Sequence, residues 1–578
     1  MPDQQLARRI SRRQVIGALG FLFVLNLLLR VFYLRYQFLN GDETIRALTA
    51  VRFLEGGTIY VDTLTDKPPG AALFYALIFE VFGRSMSAVH LAAWIWNFLT
   101  AVVIYAVGGR LASRRVGIIA AALFVYFSSN YLTQDMMAAN TEMLMALPYS
   151  ISFLLFVMAQ QEWAGVAPEE LQLDAARRYW VSFGAGVMAG LAVIFKQVGV
   201  FVLLFFAAYA AITSYQATKA RREGAASWIL DTYRRLAPAG VGFGFAAGSL
   251  LLWLYYTGAL GGFWRNSVQM GAAYVASLPP GLWLRFMVTR LGAYVLFNGA
   301  LWALAAWAAT DWWKRRRSTD RRPTSTPACA QSALVLWAGT SLLGVFAGGR
   351  FFGHYFFTLL PALSLLGAIG LDSLLIRLRQ PDPARLTRLA AAGLAMLFVI
   401  GFVRFHHRTG ILAYEAISGT RTHFSESWGM THREREATQV AAFVRERIGE
   451  GEPLYIWGFS LDVYWWSGCR PASRFLTPNY VAGHFYPELS SSSSAQQPFW
   501  RKAREQLIED LRRSRPRLIL NTDEALYDLP FPEITEFIRQ NYAYEGQIGS
   551  DPSRPFLVFR LKEKDKSLKR AVDAESTR

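Results

Sequence analysis

The sequence predicts a polytopic α-helical membrane protein with a small α/β domain outside the bilayer, and three observations lead there. Runs of roughly 20 apolar residues recur before residue 405, each long enough at ~1.5 Å per helical residue to cross a ~30 Å hydrocarbon core. Lys and Arg gather in alternate gaps between those runs, as positive loops on one side of a membrane do. From about residue 405 the long apolar runs give way to short alternating segments.

Composition narrows the class further. A 578-residue chain with 53% hydrophobic, 15% aromatic and only 18% charged residues is too apolar for an ordinary soluble multidomain protein. The formal charge of +18 sits in short clusters, such as Lys314 to Arg317 followed by Arg321 and Arg322. That is the pattern of cytoplasmic loops, not of a nucleic-acid surface. Cys329 and Cys469 fall on opposite predicted sides, which argues against an intrachain disulfide framework and a cysteine-rich metal site.

The first apolar run follows Arg8, Arg9, Arg12 and Arg13 and spans about 14–36, longer than a signal-peptide core and without a small-residue cleavage site. It reads as a retained first span. Further spans are expected near 88–109, 116–133, 139–159, 179–195, 198–216, 236–257, 291–310, 332–347, 354–376 and 389–404, about eleven in all. With the N-terminus cytoplasmic, the cytoplasmic segments carry 24 Lys and Arg and the opposite ones 9, which predicts N-in and C-out. The 14-residue apolar stretch Gly70 to Gly83 is too short to span and is read as a juxtamembrane or re-entrant helix.

These readings divide the chain into a membrane domain over 1–404 with a first external loop at 37–87, a polar linker at 405–436, an extracytoplasmic α/β domain at 437–562 and a disordered basic tail at 563–578. In the α/β part, Pro453 to Phe459, Arg517 to Asn521 and Pro555 to Leu561 read as strands, and Ala437 to Ile448 and Trp500 to Ser514 as helices. Ser490 to Ser494 reads as a flexible tract. Trp457, Tyr464, Trp465 and Trp466 are open to two readings, stacking on sugars or packing a small core.

The polar residues of chemical interest gather at the predicted external surface: Asp42, Glu43, Lys67, Asp135, Glu142 and Lys196. Adjacent acids such as Asp42-Glu43 beside a span are costly near hydrocarbon unless paired, solvated or used, although acids also favour a helix start. Glu142, in Asn140-Thr141-Glu142-Met143, reads equally as an interface residue or cap. Arg350, His354 and Tyr355 lie in Gly348-Gly349-Arg350-Phe351-Phe352-Gly353-His354-Tyr355. They suit an anionic head group, because guanidinium forks onto phosphate oxygens, or an interfacial anchor.

An N-terminal span, an external Asp42-Glu43, a later Lys67-Pro68-Pro69 and Glu142 near the start of the fourth span together resemble the GT-C glycosyltransferases. The likeness is greatest to the branch of protein O-mannosyltransferases, the lipid A aminoarabinose transferase and the rhizobial lipopolysaccharide galacturonosyltransferases. It covers roughly 10–405 and is sharpest over 38–145. The resemblance implies a GT-C-like fold and a polyprenyl-phosphate sugar donor. It also implies Asp42 as general base with Glu43 beside it, Glu142 as a second acid, and Lys67 on the donor phosphate. Arg350, His354 and Tyr355 become further phosphate contacts, and Lys196 becomes either one or a snorkelling anchor.

Direct displacement from such a donor inverts the anomeric centre. The acceptor would be a hydroxyl of lipid, cell-envelope glycan or protein. No cofactor is obligatory on this reading, while Asp42, Glu43 and Glu142 leave a divalent metal open as hard oxygen ligands. The expected location is a bacterial plasma membrane, with the bilayer as partner and no nucleic acid. The competing class is a transporter or flippase of a lipid-linked or anionic solute, which would place charges at mid-membrane on broken helices.

Overall fold

The computed structural model describes residues 11–163, 174–276, 278–317, 326–482, 498–522, 531–549 and 555–562 of the 578-residue chain. The flexible tract expected at Ser490 to Ser494 and the tail expected at 563–578 lie outside the described residues. The chain forms two compact units, Met1–Leu54 with Thr65–Ser427, and Glu55–Leu64 with Trp428–Arg578.

The first unit is helical. Among the described residues eight helices are long and apolar enough to cross a membrane, or nine if Pro280–Phe297 and Gly299–Lys314, bent by 85°, form one span. Every one of the eleven apolar runs falls on helix, but Arg114–Phe127 is 14 residues long and Gln331–Ala347 is also a shorter apolar helix. The stretch at 70–83 forms the 13-residue helix Gly70–Phe82, short of a span.

Small residues set the packing of these helices. Ala175–Phe195 lies so close to Ala225–Tyr256 that a Cβ added at Gly186 would stand 1.9 Å from the Ala239 carbonyl oxygen. Such crossings need glycine because the backbones themselves are in contact. Gly70 does the same for the chain after Lys67, since a Cβ there would stand 2.5 Å from the Ile194 oxygen. That contact brings the Lys67 loop against the end of the helix that precedes Lys196.

The polar linker expected at 405–436 is different in the structure. Arg385–Ser418 runs as one 34-residue helix through His406 and His407, and only Gly419, with φ 70°, ends it. Glu415 secures that end: it accepts from Thr422 N and Oγ1 and Ser425 Oγ, each at 2.6 Å, and from Arg35 Nη1 at 2.5 Å. Polar composition there reflects a helix carried past its apolar part.

The second unit holds strands β1 (Pro453–Trp457), β2 (Arg470–Pro471), β3 (Leu518–Asn521), β4 (Tyr542–Ile548) and β5 (Phe556–Leu561), in the order β2-β1-β3-β5-β4. β1 is parallel to β2 and β3, while β5 is antiparallel to β3 and β4. Helices Gly429–Arg445 and Pro498–Ser514 turn Val440, Val444, Leu507 and Leu511 inward. Part of the loop expected to be external, Glu55–Leu64, belongs to this unit, where Leu64 N donates to the Arg474 oxygen at 3.0 Å. Tyr464 is a core residue, with its hydroxyl accepting from Ile456 N and donating to the Leu454 oxygen.

Candidate functional site

The candidate site is built where two stretches of the membrane unit meet, one after the first apolar helix and one just before Thr141–Trp163. Helix Gly41–Leu54 starts on Asn40, whose Oδ1 accepts from Glu43 N at 3.1 Å, an N-cap that satisfies one of the free amides of the first turn. The Asn40 amide also donates to the Gln134 oxygen and to Asn140 Oδ1, at 3.1 and 3.2 Å. The helix start is therefore fixed to the second stretch, around 134–140.

Asp42 and Glu43 are adjacent in sequence and opposite in environment. Asp42 keeps 48% of its side chain exposed, and its Oδ2 accepts from Arg46 Nη2 at 2.9 Å. Burial pushes its carboxyl up, but Arg46, then Lys67 and His354, outweigh that and hold it below the usual carboxylate range. Glu43 is completely buried. Its oxygens accept from Leu39 N at 2.7 Å and Ala139 N at 2.6 Å and meet His90 Nε2 at 3.0 Å. Burial would raise this carboxyl too, yet His90 and the two amides keep it low. The pair expected side by side in the chemistry is thus split into one half-exposed carboxylate and one sealed behind it, which has no face for a substrate.

A second group lies around Glu142, which is only 1% exposed. Lys196 Nζ is ion-paired with Glu142, donating to its Oε1, and Thr141 Oγ1 donates to Oε2 at 2.6 Å. His354 Nε2 stands 3.6 Å from the same Oε1, with His354 Nδ1 3.5 Å from Asp135 Oδ1. Burial would lower the His354 pKa, but Glu142 and then Asp135 raise it above the usual histidine value. Lys196 is 7% exposed and its Nζ lies 4.4 Å from the centre of the Tyr355 ring, so it is an interior cation and not a snorkelling anchor.

Beside Glu142 is a cavity of about 380 Å³, whose lining includes Lys67 but neither Asp42 nor Glu43. Asp66, Lys67, Glu142, Lys196, Tyr274 and Tyr355 line its polar part, and Val198, Val200, Phe201, Val268 and Val275 its apolar part. Lys67 is ion-paired with Asp66 and lies 5.5 Å from the Tyr274 ring centre. Burial works against its charge, but Asp66 first, then Tyr274 and Asp42, raise its pKa above the usual lysine value.

Arg350 lies outside this lining. Its guanidinium is fully buried, 3.2 Å from the centre of the Tyr274 ring, with Nη1 donating to the Tyr274 oxygen at 2.9 Å. It backs Tyr274 rather than reaching the cavity. His354 is likewise behind the lining, whereas Tyr355 and Lys196 are part of it.

Sequence reasoning missed Asp66, Arg46, His90 and Tyr274. Arg46 stands four residues after Asp42, a helical neighbour legible in the sequence. No comparable signal marks Tyr274, which tertiary folding alone brings to Lys67. Among the described residues no group of three or more His, Cys, Asp or Glu could hold a metal ion. Glu43 turns away from the other two acids that would have been ligands.

Residues 66–226 match the family model for dolichyl-phosphate-mannose-protein mannosyltransferase. Solved structures share the fold, and two serve as examples. One is the apo oligosaccharyltransferase of Archaeoglobus fulgidus, with TM-score 0.50 and 14% identity over 96% of this chain and 75% of that one. The other is ArnT from Cupriavidus metallidurans bound to undecaprenyl phosphate, with TM-score 0.50 and 13% identity over 94% of this chain and 97% of that one. No curated protein matches the sequence.

Proposed function

We propose that this chain, whose fold is that of the GT-C superfamily of glycosyltransferases, moves a sugar from a polyprenyl-phosphate donor to a hydroxyl acceptor at the extracytoplasmic membrane face. One observation carries the reading: a single cavity has Lys67 and Lys196 on its polar wall and valines and Phe201 on the rest. A lipid phosphate has that division, an anion joined to a hydrocarbon chain. Undecaprenyl phosphate, the molecule bound to ArnT from Cupriavidus metallidurans, is of this class. The excess of Lys and Arg in the alternate loops supports the orientation.

The chemistry follows from the residue types. Asp42 takes the acceptor hydroxyl proton as the oxygen attacks the anomeric carbon. The bond from that carbon to the phosphate oxygen breaks with its electron pair going to the phosphate, and the anomeric configuration inverts. Lys67 and Lys196 face the negative charge that returns to the phosphate, in a partly dry cavity where such charges interact more strongly than in water. Glu142, buried against Lys196 and His354, holds Lys196 at the wall. Glu43 positions the helix that presents Asp42.

The test is transfer from a panel of labelled polyprenyl-phosphate sugars to membrane extract, using purified protein in lipid nanodiscs. The reading expects labelled product and free polyprenyl phosphate in equal amounts from at least one donor. Absence of transfer from every donor, with and without added divalent metal, contradicts it.

A further inference from the structure

The helix start that carries Asp42 is held by a residue from outside both external stretches. His90 belongs to Met86–Leu111 and is fully buried. Its Nε2 meets Glu43 Oε1 at 3.0 Å, its ring stacks on Trp94 at 5.8 Å and 15°, and Trp94 Nε1 donates to the Met137 oxygen at 2.9 Å. Glu43 Oε1 also accepts from Ala139 N, and its other oxygen accepts from Leu39 N. One buried carboxylate thus joins the residue before the helix, the second external stretch and the second span, directly beside Asp42.

We infer that His90 is a positioning residue for the transfer reaction, acting through Glu43 to fix Asp42 against the donor. This rests on Asp42 being the base, as proposed above. The geometry also fixes the tautomer. His90 Nδ1 is buried with no hydrogen-bond partner among the described residues, so the hydrogen belongs on Nε2, where Glu43 receives it. Without that donor, Glu43 is a buried carboxylate missing one of the groups that keep it ionised in place. The first turn is then free to shift, and a shift of about 1 Å at a reacting group is enough to cost ~100-fold in rate. Lys67 and Lys196 come from other segments, so binding of the donor phosphate does not depend on this brace.

The experiment compares wild type with His90→Ala, His90→Met and His90→Gln in the donor-panel assay, with thermal unfolding followed in parallel. Gln offers an amide donor near the position of Nε2, whereas Ala and Met offer none. The expected result is a loss in kcat of about 10- to 100-fold in the Ala and Met variants, with donor KM within about threefold of wild type. His90→Gln returns kcat to within about threefold of wild type. Wild-type kcat in His90→Ala overturns the inference and leaves the transferase reading standing. Loss of folding in both Ala and Met variants, or equal loss of kcat and donor affinity without rescue by Gln, makes His90 a packing residue only and also overturns it. A wild type that transfers from no donor defeats the transferase reading and the inference with it.

Discussion

Two buried charge clusters in this chain are alike in composition and unlike in what surrounds them. In the membrane unit, Glu142 is 1% exposed and is met by Lys196, Thr141 and His354. In the other unit, Asp510 is 2% exposed and accepts from Ser473 Oγ, Arg474 N and Nε, Arg474 Nη2 and Arg513 Nη2 at 2.8–3.1 Å. Asp510 is a closed knot: five donors fill its two oxygens and tie the segment after β2 to helix Pro498–Ser514. Glu142 is an open one, because it and Lys196 line a cavity shared with Lys67. Burial of a charge alone therefore does not mark a candidate site here; a buried charge that also lines a cavity does.

The largest expected effect lies in the membrane unit, at Asp42, which stands outside both clusters. Asp42→Asn removes the proposed base while keeping its shape, and a loss of about 10²- to 10⁴-fold in kcat with unchanged unfolding temperature is expected, measured by single-turnover transfer. Lys67→Met is next, with about 10²-fold lost in kcat/KM for the donor. Wild-type activity in Lys67→Met would remove the distinction between the two clusters. On the closed side, Asp510→Ala leaves the Arg474 guanidinium without its carboxylate. About 2–3 kcal/mol of stability is expected to go, read by denaturant unfolding, less than for a fully buried pair because Arg474 keeps 23% exposure.

A smaller, diagnostic change follows from Arg46. Asp42 is active as a base only when ionised, and Arg46 is the nearest charge that keeps its pKa low. Arg46→Gln raises that pKa, so the acid limb of the pH–rate profile moves to higher pH. A limb that stays in place would mean that Asp42 does not set it. At the bottom of the scale, Arg388 and Asp382 pair at 2.8 Å with 59% and 95% exposure, and Arg388→Ala is expected to change stability by less than about 0.5 kcal/mol.

The contrast also explains what was legible in the sequence. The helical membrane class was, because long apolar runs such as 198–216 and 236–257 leave a chain no other solvent. The short helix at 70–82 was legible for the same reason, through its length. The helix that continues through His406 and His407 was not: polarity was read as a linker, while helix propensity and the Gly419 stop decided the length. Among the candidate site residues, Asp42, Lys67 and Glu142 stand out in the sequence as charges beside apolar runs. What the sequence does not separate is Asp42 from Glu43, since only the amides of Leu39 and Ala139 and the ring of His90 make one of them inaccessible. The place of Arg350 was not legible either, because an arginine among aromatics looks the same in sequence whether it lines a cavity or lies against Tyr274.

The most direct test of the account separates binding from chemistry at Asp42. Wild type and Asp42→Asn are loaded in nanodiscs with a labelled polyprenyl-phosphate sugar that wild type transfers, and bound donor and released polyprenyl phosphate are followed through one turnover. Equal donor binding by both is expected, with rapid release and an inverted product in wild type and release slowed by at least about 10²-fold in the variant. Release at the wild-type rate from Asp42→Asn, or a product of retained configuration, would contradict it.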